Sequence, residues 1–84
     1  MHTILVIEDD EILCESVAEL LTLEGFRAIG ALDGIAGLER IQEEHPDLIL
    51  CDVDMPRLNG FGVLEALRAD PDLAKIPFLF DRAL

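Results

Sequence analysis

Thr3-Ile4-Leu5-Val6-Ile7-Glu8-Asp9-Asp10 is the stretch from which the rest of the chain can be read. A continuous, largely apolar and β-branched run stops abruptly at three acids, and this is the pattern of a strand buried on both faces. The same pattern returns forty residues on, where Leu48-Ile49-Leu50-Cys51 ends at Asp52. Between and around these two strands the apolar period changes. Leu13, Val17, Leu20 and Leu21 recur at helical spacing, so a helix is expected from about Glu11 to Leu23, with Gly25 after the last turn as its C-cap.

Phe26 to Ala31 reads as a weaker second strand. Asp33 can then cap a helix carrying Ile35, Leu38 and Ile41 on one side. Gly34 and Gly37 make that helix a poor former on propensity alone, and Pro46 closes it. Asp54-Met55-Pro56-Arg57-Leu58-Asn59-Gly60 is a loop by its breakers. A third helix follows with Phe61, Leu64 and Leu67 along one side and Val63 beside them, ending near Ala69 before Asp70-Pro71. Ile76-Pro77-Phe78-Leu79-Phe80 begins a fourth strand. Alternating strands and helices need right-handed crossovers, and these give a doubly wound parallel sheet of the α/β class. Neither GxGxxG nor GxxxxGK[ST] occurs, so the glycines spell no dinucleotide or nucleoside triphosphate cradle.

Composition bounds the function. Eighty-four residues make one small domain, residues 1–84, whose burial is only about 60 to 65% of its unfolded surface. Hydrophobic residues are 51% and charged residues 29%, which indicates a packed core rather than an acidic tail. Six Lys and Arg against 18 Asp and Glu give a net charge of −12, a field that repels phosphate backbones and anionic membranes. No direct nucleic-acid binding and no membrane association are expected. The N-terminus has no basic lead and no run of roughly 18 apolar residues, so neither a signal peptide nor a spanning helix is expected. Cys14 and Cys51 lack ligand spacing and read as reduced thiols of a cytoplasmic protein; Cys51 is a core residue in this reading. His45, before Pro46 at a helix end, suits the helix dipole, and neither it nor His2 is expected to carry chemistry.

The acids carry the chemistry. Ligands of an open parallel sheet sit outside the carboxyl ends of its strands, where the strand order reverses. If the two acid-terminated strands are neighbours, as in the order 2-1-3-4, Glu8, Asp9 and Asp52 converge on strands about 4.8 Å apart. Crowded carboxylates repel and resist ionisation unless a cation intervenes. An all-oxygen site with one or two protein carboxylates suits Mg²⁺. Asp9 is assigned as a direct ligand, Glu8 as a ligand directly or through water, Asp52 as ligand and nucleophile, and Asp54 as a ligand through its backbone carbonyl. Asp52 would serve as the acceptor that divides a phosphoryl transfer into two steps. Gly60 would let the chain re-enter a helix without a side-chain clash. A plainer role stays open for part of the set, since Asp10 and Glu11 are well placed as an N-cap and first-turn charge.

These residues resemble the receiver domain of bacterial two-component response regulators. Ile4-Leu5-Val6-Ile7-Glu8-Asp9-Asp10 is similar to that family's first strand and acidic pair. Asp47-Leu48-Ile49-Leu50-Cys51-Asp52-Val53-Asp54-Met55-Pro56 is similar to its phosphoacceptor strand and the loop beyond, and Asn59-Gly60-Phe61 to the turn into the third helix. Asp33-Gly34, Gly37-Leu38 and Ile76-Pro77 follow the same wording. The resemblance implies a flavodoxin-like fold, and an aspartate, Asp52, that takes a phosphoryl group from a sensor histidine kinase or phosphotransfer protein with Mg²⁺.

The likeness has departures. The family's Thr or Ser after the fourth strand falls on Arg82, with Ala83 retained; Asp81 stands at a usually apolar position, and the lysine after a fifth strand has no counterpart. Within these residues the pattern reaches only the fourth strand, so the expectation is a receiver lacking the fifth strand and last helices. Two readings compete: a phosphoacceptor, or a non-catalytic interaction module. In the second the chain is a homo-oligomer joined through the fourth strand, an exposed edge bearing Phe78, Leu79 and Phe80. Hydrolysis of a small phosphoester is a third possibility that nothing beyond the acids requires.

Overall fold

Four consecutive buried residues, Ile4 to Ile7, require protein on both faces of the strand they form, and the computed structural model provides it. It describes residues 2–81; Arg82 and Ala83, the positions that depart from and retain the family's wording, lie outside the described residues. β1 (Thr3–Ile7) is hydrogen-bonded on one side to β2 (Arg27–Ala31) and on the other to β3 (Leu48–Cys51). β4 (Phe78–Phe80) pairs with β3. All pairs are parallel and the order is β2-β1-β3-β4, with α1 (Glu11–Leu23), α2 (Gly34–Glu44) and α3 (Gly60–Ala69) as crossovers. The fold is the doubly wound α/β sheet expected, and among the described residues it comprises four strands and three helices. No helix among them is long and apolar enough to cross a membrane.

Side-chain alternation along the strands divides the core. Leu5, Ile7, Ile49 and Cys51 join Ala31, Ile41, Val63, Leu67 and Leu73 in one buried cluster. The intervening residues point to the other face, where the Cys14 thiol of α1 reaches the Val6 carbonyl at 3.7 Å. Val6, Leu50 and Leu79 are in register across β1, β3 and β4, and cover falls away along that row from buried Val6 to Leu79, which is 55% exposed.

The helix termini follow the sequence closely, except that Glu24 and not Gly25 is the C-cap of α1, and the buried faces follow it only in part: Ile41, Val63 and Leu67 are buried as expected. Asp10, Asp33 and Asn59 each cap a helix through a side-chain oxygen, accepting from the N–H groups of Leu13, Ala36 and Gly62. On α1 the fully buried residue is Cys14, while Leu20 is exposed. On α2 the buried residues are Gly34, Gly37 and Ile41, with Ile35 exposed. On α3 they are Gly60, Val63 and Leu67, with Phe61 exposed. The glycines that count against α2 on propensity are its packing face: a Cβ on Gly37 would lie 2.6 Å from Ile7 Cδ1. Close approach of helix to sheet replaces the contact that a larger residue would make. Two strands also begin later than the apolar runs suggest. β2 begins at Arg27 rather than Phe26, and β4 at Phe78, because the chain up to Ile76 is still in a turn closed by Ile76 N–H on Leu73 O.

Leu67 is fully buried, so Leu67→Ala is expected to cost about 2 to 5 kcal/mol through lost burial and a residual cavity. That is a large part of the roughly 4 to 12 kcal/mol available to a domain of this size. Leu20→Ala, at an exposed position, should stay within about 0.5 kcal/mol. Urea unfolding followed by far-UV circular dichroism separates the two; equal midpoints would mean that the assigned core is wrong.

Candidate metal and phosphoacceptor site

Register sets the site. Ile7 pairs with both Ala31 and Cys51, so Glu8 and Asp52 are the first residues past the ends of adjacent strands. Their backbones remain tied to the sheet, with Glu8 N–H donating to Ala31 O at 3.0 Å and Asp52 N–H to Ile7 O at 2.9 Å. One oxygen each from Glu8, Asp9 and Asp52 lies within 4.8 Å of the others. The three differ in exposure: Glu8 is buried, Asp52 half-buried and Asp9 exposed. The cluster therefore has a floor, a wall and an open side.

Glu8 is the anomaly. Its side chain is 3% exposed, and it is the buried charged residue of the described chain. Oε2 accepts from Asp10 N–H at 3.2 Å, whereas Oε1 is buried with no hydrogen-bond partner. Burial, and after it the neighbouring carboxylates of Asp9 and Asp52, raise the Glu8 carboxyl from an ordinary 4.5 to about 7, against the opposing pull of the Asp10 N–H. A buried acceptor without a partner costs free energy unless something positive meets it. The donor set is oxygen only, the charge is strongly negative and one oxygen is orphaned, so the residues fit a hard divalent cation such as Mg²⁺.

Asp52 is held for presentation. Its Oδ1 accepts from Val53 N–H at 2.8 Å. Behind it, Asp52 O is accommodated by Gly60, whose Cβ, if present, would lie 2.4 Å from that oxygen. Gly60 N–H also donates to Val53 O at 2.9 Å, so the loop returns to the sheet as α3 begins. The expectation drawn from Gly60 thus holds for a backbone reason. Asp54 is exposed, and its carboxylate does not join the three that converge. Asp10 takes the plainer role, capping α1 with Oδ1 on Leu13 N–H at 3.1 Å.

Further residues shape the site without announcing themselves in the sequence. Met55 and Leu58 of the loop pack against the core, and Arg57 Nη1 lies 3.5 Å from Asp33 Oδ2 at the start of α2. Leu58 has as its only sequence signal an apolar character inside a loop full of breakers, which by itself does not say what it touches. Cys51 is a buried core thiol pushed up to about 12, chiefly by burial, and its Sγ lies 3.2 Å from Asp52 O. Burial raises the Cys14 thiol as well, and both cysteines are free.

Comparison with known proteins follows the same line. The sequence matches the response regulator receiver domain model over residues 4–80. The polar-differentiation response regulator DivK of Brucella ovis is 31% identical over 77 residues, covering 92% of this chain and 63% of DivK. The DNA-binding dual master transcriptional regulator RpaA of Synechocystis is 38% identical over 84 residues, covering 100% of this chain and 35% of RpaA. The N-terminal domain of a response regulator receiver protein from Methanoculleus marisnigri superposes with a TM-score of 0.91 at 34% identity, over 95% of this chain and 65% of that one. The receiver domain of a signal transduction histidine kinase from Syntrophus aciditrophicus gives 0.92 at 28% identity, over 100% and 64%. The chain spans less than two thirds of the length of each of these.

Proposed function

The chain belongs to the response regulator receiver domain family, and on that premise we propose that Asp52 accepts a phosphoryl group from the phosphohistidine of a sensor histidine kinase or phosphotransfer protein, in a cytoplasmic phosphorelay. The observation that carries this reading is the buried Glu8 carboxylate, one oxygen of which has no hydrogen-bond partner, clustered with the carboxylates of Asp9 and Asp52 at the ends of two adjacent strands.

In the transfer, a carboxylate oxygen of Asp52 forms a bond to phosphorus as the phosphorus–nitrogen bond of the donor breaks, and the imidazole leaves with the electron pair. The Val53 N–H holds Oδ1, which restricts the carboxylate's orientation within the cluster. Glu8 and Asp9 with Asp52, and the Asp54 backbone carbonyl, would hold Mg²⁺. When bound, the ion supplies positive charge that offsets the charge on the phosphoryl oxygens. The net charge of −12 makes nucleic acid an unfavourable direct partner for these residues, so any DNA-directed output belongs to another part of such a protein.

Acetyl phosphate with Mg²⁺ should add one phosphoryl group by intact mass, and beryllofluoride with Mg²⁺ should shift the amide resonances of Val53 and Gly60. A chain that remains unmodified and spectroscopically unchanged would overturn the assignment.

A second reading has an observation of its own. Among the described residues β4 is a sheet edge, Leu79 on it is 55% exposed, and the Phe80 ring of β4 meets Phe61 at a tilt and Phe78 edge-on, with centroids 5.0 and 5.1 Å apart. An open edge with apolar neighbours favours strand addition, here by a second copy of the chain in a non-catalytic interaction module. Sedimentation at micromolar concentration should then show an oligomer that survives Asp52→Ala; a compact monomer would remove this reading.

A further inference from the structure

The loop that carries the site, from Asp52 to Asn59, is held at its crown by α2, an element that contributes no residue to the acidic cluster. Leu58 is half-buried and packs against the core. Its carbonyl oxygen lies 2.2 Å, and its Cβ 2.8 Å, from where a Cβ on Gly34 would be. Its Cδ1 lies 2.4 Å from where a Cβ on Gly62 would be. Leu58 is therefore seated in a notch formed by two glycines, one in the first turn of α2 and one in the first turn of α3. The residue before it completes the latch. Arg57 has a left-handed φ of 70°, Leu58 N–H closes a three-residue turn on Pro56 O at 2.8 Å, and Arg57 reaches Asp33, the N-cap of α2.

We propose that Gly34 is a positioning residue for the phosphoacceptor site: by admitting the Leu58 backbone it sets the height of the loop, and through the loop the placement of Asp52 and the Asp54 carbonyl around the cation. The inference rests on the reading of Asp52 and its neighbours as a Mg²⁺ site. The physical reason is that loop and helix meet backbone against Cβ position. A methyl group at Gly34 would meet the Leu58 carbonyl, which cannot yield by rotating about a side-chain bond, so the loop itself must lift. At Gly37, one turn on, an added methyl would meet only the buried Ile7 side chain, at 2.6 Å from its Cδ1, so its cost falls on core packing and not on the loop backbone. The two positions share a helix and a buried face, and they differ in what they touch. Outer residues that orient metal ligands typically change affinity by about 10- to 100-fold when altered.

The test is Mg²⁺ titration of the intact chain followed by amide chemical shifts, alongside Gly34→Ala, Gly37→Ala and Leu58→Ala, at a temperature where each is folded by circular dichroism. Gly34→Ala is expected to weaken Mg²⁺ affinity on the order of tenfold. Gly37→Ala should lower the unfolding midpoint and leave affinity within about twofold, a distinction that a merely structural role for Gly34 would not produce. Leu58→Ala, which empties the notch without adding an atom, should weaken affinity in the same direction and serves if Gly34→Ala does not fold. Unchanged affinity in folded Gly34→Ala, or in Leu58→Ala, overturns the proposal. No response in the intact chain overturns the Mg²⁺ reading and this inference with it, whereas a normal intact chain with indifferent variants overturns this inference alone.

Discussion

Asp52→Asn is expected to end phosphoacceptance while leaving the sheet intact. The substitution keeps a side-chain oxygen for the Val53 N–H and nearly the same volume, and the Asp52 carbonyl that Gly60 accommodates is backbone and stays as it is, so the packing is expected to be preserved. It removes the anionic oxygen that attacks phosphorus in the proposed transfer, and one of the three carboxylates of the cluster. Loss of a nucleophile is among the largest single effects in catalysis, and a fall on the order of 10³-fold or more is expected in the rate of modification by acetyl phosphate with Mg²⁺. Intact mass reads it directly. A variant that still gains a phosphoryl group would move the acceptor to Asp9 or Asp54. The same change removes a negative neighbour of Glu8, so the Glu8 carboxyl should ionise at lower pH than in the parent.

The second large effect belongs to Glu8. Its carboxyl is raised in the folded chain from 4.5 to about 7, a difference worth about 3 kcal/mol between its protonated and charged states. The folded state holds this proton more tightly than the unfolded state does, so stability without metal is fully present below pH 4.5 and is lost as pH rises through about 7. If Mg²⁺ binds as proposed, the trend is expected to reverse, because its ligands must be deprotonated; apparent affinity should rise about tenfold per pH unit up to about 7 and then level off. Glu8→Gln separates the two consequences. The neutral amide removes the titration and can donate toward Asp9 or Asp52. In metal-free urea unfolding at pH 8 the variant should exceed the parent by about 2 to 3 kcal/mol, with a flat profile between pH 5 and about 8. Its Mg²⁺ affinity should fall by about tenfold or more. Parent stability that does not decline toward neutral pH would show that Glu8 is not held in the uncharged, buried state that the geometry describes.

The comparison of Glu8 with Asp10 shows where reading ends and folding begins. Both are acids after the same strand; position in the sequence separates Glu8, a candidate ligand, from Asp10, a candidate N-cap, but it does not say which of them is buried. In the structure Asp10 caps α1 and is exposed, while Glu8 is driven beneath the cluster with one oxygen unpartnered. The difference follows from the end of β1, whose ladder to β2 extends through Glu8 N–H and keeps that residue in the sheet. The glycines give the complementary case. Gly34 and Gly37 weaken a helix when judged alone, and both lie at points of close approach once the helix meets its neighbours.

The sequence by itself determined the element order, the α/β class, the capping aspartates and the two strand ends that bear acids, because each depends on local chemistry: the apolar period, the residues that break it, and short polar side chains at helix starts. The pairing of β1 with β3 was legible only as a conditional, to be met if the strand order reversed between them. Tertiary structure decided which acid is buried, which face of each helix meets the sheet, and that Leu58 sits in a notch between α2 and α3. Those outcomes depend on distances between residues remote in sequence, and no periodicity within a single segment encodes them.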